Sequence, residues 1–374
     1  ATCVAAETPT DSFGASIAGG HDLDGDGVDD LAVGAPTAGG VLAGPGAVYV
    51  FSGGAGIPAA DTEATVTIRG LNGLDALGTS VAVMDLDDDG VADLMIGAPG
   101  VDGLVADAGD AYAFFGPLTA GVYTAADAGL RFEGGLPQRH LGAPGNALAG
   151  SIGSADVNGD GVLDLLVSQG GTDADADHVD SGVAFLYLGP LVRGTVSAPG
   201  YADVVFEGTR AGEYASEPVD GAGDLTGDGL DDVVVAANGL TPERIAVFSG
   251  PTDGKRSLDN ADLLIEPAST GEGTGWSLGT GHDVDGDGAV DLVVGSPYGG
   301  PATEGEVRVV LGAVGTGTLA LADHPAIVGG APGSELGKSI AMPGDVDGDG
   351  LGDFAVGAPQ SDYGAGAIVL FSGF

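Results

Sequence analysis

Asp22, Asp24 and Asp26 stand at alternate positions of the run DLDGDGVDD, which closes on Asp30. Counted from Asp22, carboxylates occupy positions 1, 3, 5 and 9, and Gly27 occupies position 6. Alternate oxygens of a tight turn converge on one point, the arrangement a hard cation needs to collect its roughly six to eight oxygen ligands. An EF-hand would place a bidentate Glu at position 12, inside a second helix. Position 12 is Val33, and the following LAVGAP reads as a short β-strand. The chemistry these residues offer is therefore cation binding in a turn between strands.

The run recurs as DLDDDGVAD from Asp85, DVNGDGVLD from Asp156, DLTGDGLDD from Asp224, DVDGDGAVD from Asp283 and DVDGDGLGD from Asp345. Position 12 becomes Ile96, Val167, Val235, Val294 and Val356, so no copy can close an EF-hand. All six keep Asp at positions 1, 5 and 9. Regular recurrence makes each loop one part of a repeated structural element. With no His or Cys among the candidate ligands, oxygen donors favour Ca2+ over softer metals, and a compact all-protein cage suits Mg2+ poorly. Four carboxylates packed in one turn without a cation would repel strongly.

The element that must hold each loop can be read from the second repeat. LGTSVAVM precedes the loop, DLMIGAP follows it, and GDAYAFFG and GLRFEG come next. Each is a short β-rich run bounded by Gly, Pro or Asp, which gives a four-stranded antiparallel meander with the loop joining its first two strands. The third-strand set GAVYVFSG, GVAFLYLG, RIAVFSG, EVRVVLG and AIVLFSG is apolar on both faces, so the sheets must be covered on both sides. Six such sheets, each sandwiched by neighbours, describe an all-β, six-bladed β-propeller occupying residues 1–374 as one domain. An open solenoid is the weaker alternative, because neither end reads as a polar capping repeat. Fourth strands are legible at ATVTIRG, GLRFEG, ADVVFEG, ADLLIEP and HPAIVGG, whereas the last repeat stops after AIVLFSGF. ATCVAAE, residues 1 to 7, is expected to supply the missing strand and close the ring.

These features resemble the FG-GAP repeats of the integrin α-subunit β-propeller. The name's elements stand as Phe13-Gly14 with Gly34-Ala35-Pro36, Leu77-Gly78 with Gly97-Ala98-Pro99, and Leu336-Gly337 with Gly357-Ala358-Pro359; the fifth repeat has Gly295-Ser296-Pro297. The third and fourth repeats depart from it, with VSQGG and VAANG in place of the GAP segment. The resemblance implies about six Ca2+ ions, bound by side chains at positions 1, 3, 5 and 9 and by the carbonyl at position 7. In the first loop these are Asp22, Asp24, Asp26, Val28 and Asp30, and in the second Asp85, Asp87, Asp89, Val91 and Asp93. The third offers Asp156, Asn158, Asp160, Val162 and Asp164, and the fourth Asp224, Thr226, Asp228, Leu230 and Asp232. Asp283, Asp285, Asp287, Ala289 and Asp291 serve the fifth, and Asp345, Asp347, Asp349, Leu351 and Asp353 the sixth. Integrin propellers have seven blades and calcium in only some of them, so their ligand specificity does not transfer.

Composition limits the remaining choices. With 55 acidic and 10 basic residues the formal charge is −45, which excludes nucleic acid and anionic membranes as natural partners. No apolar run approaches a membrane span, so membrane insertion is not expected. Cys3 is the single cysteine and permits no internal disulfide. The start at Ala1 without a signal peptide fits a processed, secreted product, and an extracellular or cell-surface location is expected. No GxSxG, HExxH or P-loop is present, which points away from an enzyme. The leading reading is a calcium-stabilised adhesion or protein-interaction module. The alternative is a propeller hydrolase or lectin acting on carbohydrate, since carboxylates that could form an acid pair are abundant.

A protein or glycan ligand is expected on the face opposite the calcium loops. Trp276, Arg69, Arg139, Arg210 and Lys338 lie in or near the connections from a fourth strand to the next first strand, on that face. A second acidic cluster, GTDADADHVDSG at 171–182, reads as a solvated loop, an additional cation site or a contact for a basic partner. His21 and His282 precede two of the loops and read as structural. His140, His178 and His324 share no register with the repeats.

Overall fold

The computed structural model describes residues 11–39, 44–54, 61–102, 108–134, 148–172, 178, 180–250, 254–329, 331–361 and 366–374. It is an all-β, six-bladed propeller, and each repeat contributes one blade. The first repeat forms β1 (Ser16–His21), β2 (Asp30–Ala35), β3 (Ala47–Phe51) and β4 (Val66–Arg69). The second forms β5 (Val81–Met84), β6 (Asp93–Ala98), β7 (Asp110–Phe114), β8 (Gly121–Thr124) and β9 (Leu130–Glu133). The third forms β10 (Leu148–Ala155), β11 (Asp164–Gln169), β12 (Val183–Tyr187), β13 (Gly194–Ser197) and β14 (Val204–Glu207). β15 (Ala215–Gly221), β16 (Val233–Ala237), β17 (Arg244–Phe248), β18 (Gly254–Ser257) and β19 (Leu263–Glu266) make the fourth. The fifth has β20 (Ser277–His282), β21 (Asp291–Ser296), β22 (Glu306–Val310), β23 (Gly317–Ala320) and β24 (Ala326–Val328). β25 (Ser339–Gly344), β26 (Asp353–Ala358) and β27 (Ala367–Phe371) are the described strands of the sixth.

The expected antiparallel meander is present in every blade, with Leu31 opposite Phe51 and Val48 opposite Ile68 in the first. The four-stranded meander of a repeat gains one further strand in four of the blades. Among the described residues, four sheets have five strands, one has four and one has three. The additional strands are β8, β13, β18 and β23, each drawn from the third-to-fourth-strand connection of one repeat and laid on the fourth strand of the repeat before it. They pair parallel, as in Val66 with Gly121 and Leu263 with Gly317. Four-residue strands opening on Gly carry too little apolar pattern to be recognised in isolation. Residues 1–7, expected to close the ring, and Cys3 lie outside the described residues.

The chain divides into two compact units, Ala1–Ser154 with Val162–Asp180 and Phe185–Val205, and Ala155–Gly161 with Ser181–Ala184 and Phe206–Phe374. In the first, Leu23, Ile68, Leu94, Ile96 and Phe114 build the main core. In the second, Val234, Ile245, Val247, Ile265, Leu292 and Leu321 do so. β3, β7, β12 and β17 are buried at every position, as runs apolar on both faces require. At the loop end of the first strands the register slips, between Gly19 and His21, Gly279 and His282, and Ala341 and Gly344. Such bulges re-aim a strand end, and here they turn the chain into the acidic loop.

Candidate metal centres

Each acidic loop is built from its ninth residue inwards. Asp30 is buried at the start of β2; its Oδ2 accepts hydrogen bonds from the backbone N–H of Leu23 (2.8 Å) and Asp24 (3.2 Å), and its Oδ1 from that of Gly53 (2.8 Å). One carboxylate thus ties the loop to the third-to-fourth-strand connection at the same end of the blade. The device recurs with Asp93 (Leu86 N, 2.8 Å; Gly116 N, 2.7 Å) and Asp291 (Val284 N, 2.7 Å; Gly312 N, 2.7 Å). Asp353 holds Val346 N and Gly373 N in the same way, and Asp164 holds Gly189 N.

The first residue organises the turn itself. Asp22 accepts from Gly25 N (2.7 Å), Asp26 N (3.2 Å) and Gly27 N (2.6 Å). Asp345 repeats this with Gly348, Asp349 and Gly350, and Asp156 with Asp160 and Gly161. Position 6 must be Gly because its backbone is left-handed, with φ +87° at Gly27 and +94° at Gly350.

The result is convergence of carboxylates. One oxygen each from Asp22, Asp24 and Asp30 lie within 4.8 Å of one another, as do those of Asp85, Asp87 and Asp93, of Asp283, Asp285 and Asp291, and of Asp345, Asp347 and Asp353. These are positions 1, 3 and 9. Position 5 lies outside these triads: Asp26, Asp89, Asp287 and Asp349 accept from the N–H two residues on, that of Val28, Val91, Ala289 and Leu351, at 2.8–2.9 Å. In the fourth loop Asp228 does the same with Leu230 N, and Asp224 holds Asp228 N and Gly229 N. That loop lacks a carboxylate at position 3, where Thr226 donates its hydroxyl to Asp232 instead (3.0 Å). Asn158 replaces the acid in the third loop, where its Oδ1 accepts from Asp160 N.

The electrostatics of the loops fit a cation. Asp87 Oδ1 is buried without a hydrogen-bond partner, a state that costs about 1–3 kcal/mol unless a ligand takes the lone pair. Burial raises the Asp87 carboxyl, and the neighbouring Asp89 and Asp85 raise it further. Burial pushes Asp93 and Asp232 each up to about 6, against the backbone N–H groups that hold them ionised. Asp30 and Asp291 rise for the same reason. Asp22 moves the other way, drawn down by the Gly27 N–H. Hard oxygen donors, an orphaned acceptor and carboxylates that resist ionisation together suit a divalent cation.

Sequence reasoning missed Ser52 and Ser372, whose hydroxyls donate to the position-3 acids Asp24 (2.6 Å) and Asp347 (2.9 Å). Their place in the third-strand FSG segments of the first and last repeats is the signal that could have found them. Of the other candidates, Trp276 and Lys338 come together and the rest are dispersed. Trp276 is exposed, lies edge-on to Tyr298 and carries the Lys338 ammonium 3.6 Å above its ring centre. Arg210 faces Glu213 at 3.9 Å, and Arg69 ends β4 exposed. His21 is exposed, while His178, His282 and His324 are half-buried. Arg139, His140 and most of the 171–182 acidic segment lie outside the described residues. Among the described residues, no helix is long and apolar enough to cross a membrane.

The family model for the FG-GAP repeat matches residues 13–51, 274–318 and 339–371, which lie in the first, fifth and sixth repeats. Integrin alpha-PS5 of Drosophila melanogaster is 31% identical over 217 residues, covering 54% of this chain and 20% of that protein. Integrin alpha-IIb of Homo sapiens is 34% identical over 155 residues, covering 40% and 14% respectively. Integrin alpha-PS2 of Drosophila melanogaster is 32% identical over 249 residues, covering 61% and 18%. The chain spans about a fifth or less of the length of these relatives. Among solved structures, the rhamnogalacturonan lyase YesW aligns with 94% of this chain and 55% of its own at a TM-score of 0.42 and 13% identity, a likeness too slight to carry chemistry across.

Proposed function

We propose, from the premise that this chain is an integrin-α-like FG-GAP-repeat β-propeller, that it is a non-catalytic interaction or adhesion module whose blades are stabilised by calcium. The observation that carries this reading is the fourfold convergence of the acids at positions 1, 3 and 9 at one end of the blades. Bound there, a divalent cation would supply positive charge to oxygens that otherwise repel one another. The residues' own part is mechanical. The position-9 acid fixes the loop to the neighbouring connection, the position-1 acid shapes the turn, and Gly at position 6 lets the chain reverse.

The reading extends to six cations, with position-5 acids and position-7 carbonyls completing each set, and to residues 1–374 acting as one domain outside the cytosol. A macromolecular partner would sit on the opposite face, where connections as different as NGLTPE and PYGGPATEG vary on a rigid scaffold. Calorimetric titration of chelator-treated protein tests the cation reading. Four to six equivalents of Ca2+ are expected, with the fourth loop weakest, and two or fewer would remove the proposal's basis. A partner screen on calcium-replete protein, run beside an assay for glycan hydrolysis, tests the rest; turnover abolished by one carboxylate substitution would move the assignment to an enzyme.

A further inference from the structure

The second residue of an acidic loop is hydrogen-bonded in two directions. In the first loop Leu23 is 0% exposed; its N–H donates to Asp30 of its own loop (2.8 Å), and its carbonyl accepts the N–H of Leu118 in the second repeat (2.7 Å). Two residues before Leu118, the N–H of Gly116 donates to Asp93, position 9 of the second loop (2.7 Å). The line continues from there. Leu86, also 0% exposed, donates its N–H to Asp93 (2.8 Å) and accepts at its carbonyl from Leu191 in the third repeat (2.6 Å). Gly189, two residues before Leu191, donates to Asp164, position 9 of the third loop (2.9 Å). The other compact unit repeats the arrangement: Val284 donates to Asp291 (2.7 Å) and accepts from Phe374 (2.7 Å), and the adjacent Gly373 donates to Asp353 (3.1 Å).

A second, shorter link joins neighbouring loops directly. The carbonyl of Asp22, position 1, accepts the N–H of Ala92 (3.3 Å), which is position 8 of the second loop and precedes Asp93. The carbonyl of Asp283 accepts that of Gly352 (2.7 Å), position 8 of the sixth loop, which precedes Asp353. The third and fourth loops meet at the same two positions with donor and acceptor exchanged, the Asp156 N–H donating to the Asp231 carboxylate (3.1 Å). Side-chain packing follows the backbone. A Cβ on Gly286 would come within 2.9 Å of Leu351 Cδ2, and one on Gly159 within 2.6 Å of Leu230 Cδ2, so position 4 of one loop lies against position 7 of the next.

We propose that the cation loops are coupled in neighbouring pairs, so that filling one loop raises the affinity of the loop in the following repeat. This rests on the cation reading and adds a property to it. Asp30 and Asp93 belong to two different triads, and the hydrogen bonds above tie the segment held by one to the segment held by the other. When Asp22, Asp24 and Asp30 are drawn together on an ion, Leu23 and Asp22 are fixed with them, and their carbonyls hold Leu118 and Ala92. Gly116 is then placed to donate to one oxygen of Asp93 while Leu86 donates to the other. Part of the ordering that the second loop needs has already been done, so its ion binds more tightly. Linkage makes the effect reciprocal. Electrostatics alone would act the other way, because positive charge gained in one loop weakens the field that draws a cation to its neighbour. Positive coupling is therefore the mark of the hydrogen-bonded line.

The test follows hydrogen exchange of the whole protein, chelated and then titrated with Ca2+. Protection of the amides of residues 22–30, 85–93 and 283–291 gives separate midpoints for the first, second and fifth loops. Asp24→Ala removes one acid of the first triad at a half-buried position and should abolish protection in that loop. It should also raise the midpoint of the second loop by about fivefold or more, the lower end of ordinary coupling between sites. Asp87→Ala should do the converse and raise the midpoint of the first loop by the same factor. The fifth loop belongs to the other compact unit and should keep its midpoint in both variants, which a general loss of stability would not allow. A smaller shift in the neighbouring loop, a shift towards tighter binding, or an equal shift in the fifth loop would overturn the coupling and leave the cation reading standing. Absence of Ca2+-dependent protection in the unsubstituted protein, or first-loop protection that survives Asp24→Ala, would overturn the cation reading and the coupling with it.

Discussion

Asp93 and Asp87 sit in one loop and should fail in opposite ways. Both oxygens of Asp93 accept backbone N–H groups, from Leu86 and Gly116. Asn would offer one acceptor and set its amide nitrogen against the other donor, so Asp93→Asn should cost about 1–3 kcal/mol with or without cation. Asp87 Oδ1 has no such partner, so Asp87→Asn should leave the chelated protein unharmed or slightly steadier and lose only the calcium-induced rise in melting temperature. Paired thermal melts in chelator and in calcium separate the two; identical profiles would contradict the division of labour between positions 3 and 9. Glu217 gives a pH prediction. Its Oε1 is buried without a hydrogen-bond partner, and burial pushes the carboxyl from 4.5 up to about 8. The folded state therefore keeps a proton that the unfolded chain has given up. Its contribution is fully present below about 4.5 and is lost as pH rises through about 8, by on the order of several kcal/mol. Glu217→Gln should flatten denaturant-measured stability between those limits, and an unchanged slope would mean that the carboxyl reaches solvent.

The covering strands are the element whose removal should be felt most. Leu321, 1% exposed beside Ile265 and Val310, should cost about 2–5 kcal/mol on truncation to Ala, although it belongs to a connection and not to a blade core. Chemical denaturation would read this directly, and a loss under about 1 kcal/mol would make the turn dispensable. This element also marks where the sequence stopped being readable. Asp22 to Asp30 could be decoded because most of the hydrogen bonds that shape the turn are made within nine residues, whereas those from Ser52 and Gly53 come from outside it. The runs that became β3, β7, β12 and β17 announced their burial through apolar residues on both faces. GVYT and GTLA announced nothing, because their partner strand lies in another repeat and their stability comes from its edge. Thr226 was legible as a weaker ligand, but its hydroxyl bond to Asp232 was not, since that depends on how deeply Asp232 is buried. Thr226→Asp would put a second acid beside a carboxyl already raised to about 6. It should lower the melting temperature in chelator and strengthen calcium binding in that loop by about tenfold, a pairing calorimetry can check.

At the scale of the whole molecule, a formal charge of −45 makes cation binding and solubility parts of one balance. The described basic residues are largely committed within the chain: Arg131 to Asp110 and Glu133, Arg244 to Glu213 and Asp259, Arg308 to Glu306, Arg256 to Asp262, and Lys255 to Glu207. Little positive charge is left to offset the loops, so the cation-free protein must carry its self-repulsion unrelieved. A site held tenfold above its dissociation constant contributes roughly 1.4 kcal/mol, and several such sites together rival the net stability of an ordinary domain. Chelation should therefore lower the melting temperature markedly. Monovalent salt should recover part of that loss, because a Debye length of about 10 Å at 0.1 M screens repulsion between loops but cannot replace an ion held within one. Recognition should separate from this balance. Asp283→Ala with Asp287→Ala removes acids at the loop end and should depress melting before it affects a partner at saturating concentration in the cold. Trp276→Ala, on the opposite end and already exposed, should leave melting nearly unchanged and weaken that partner. Binding that follows the loop acids and ignores Trp276 would place the partner on the calcium face and reverse the assignment.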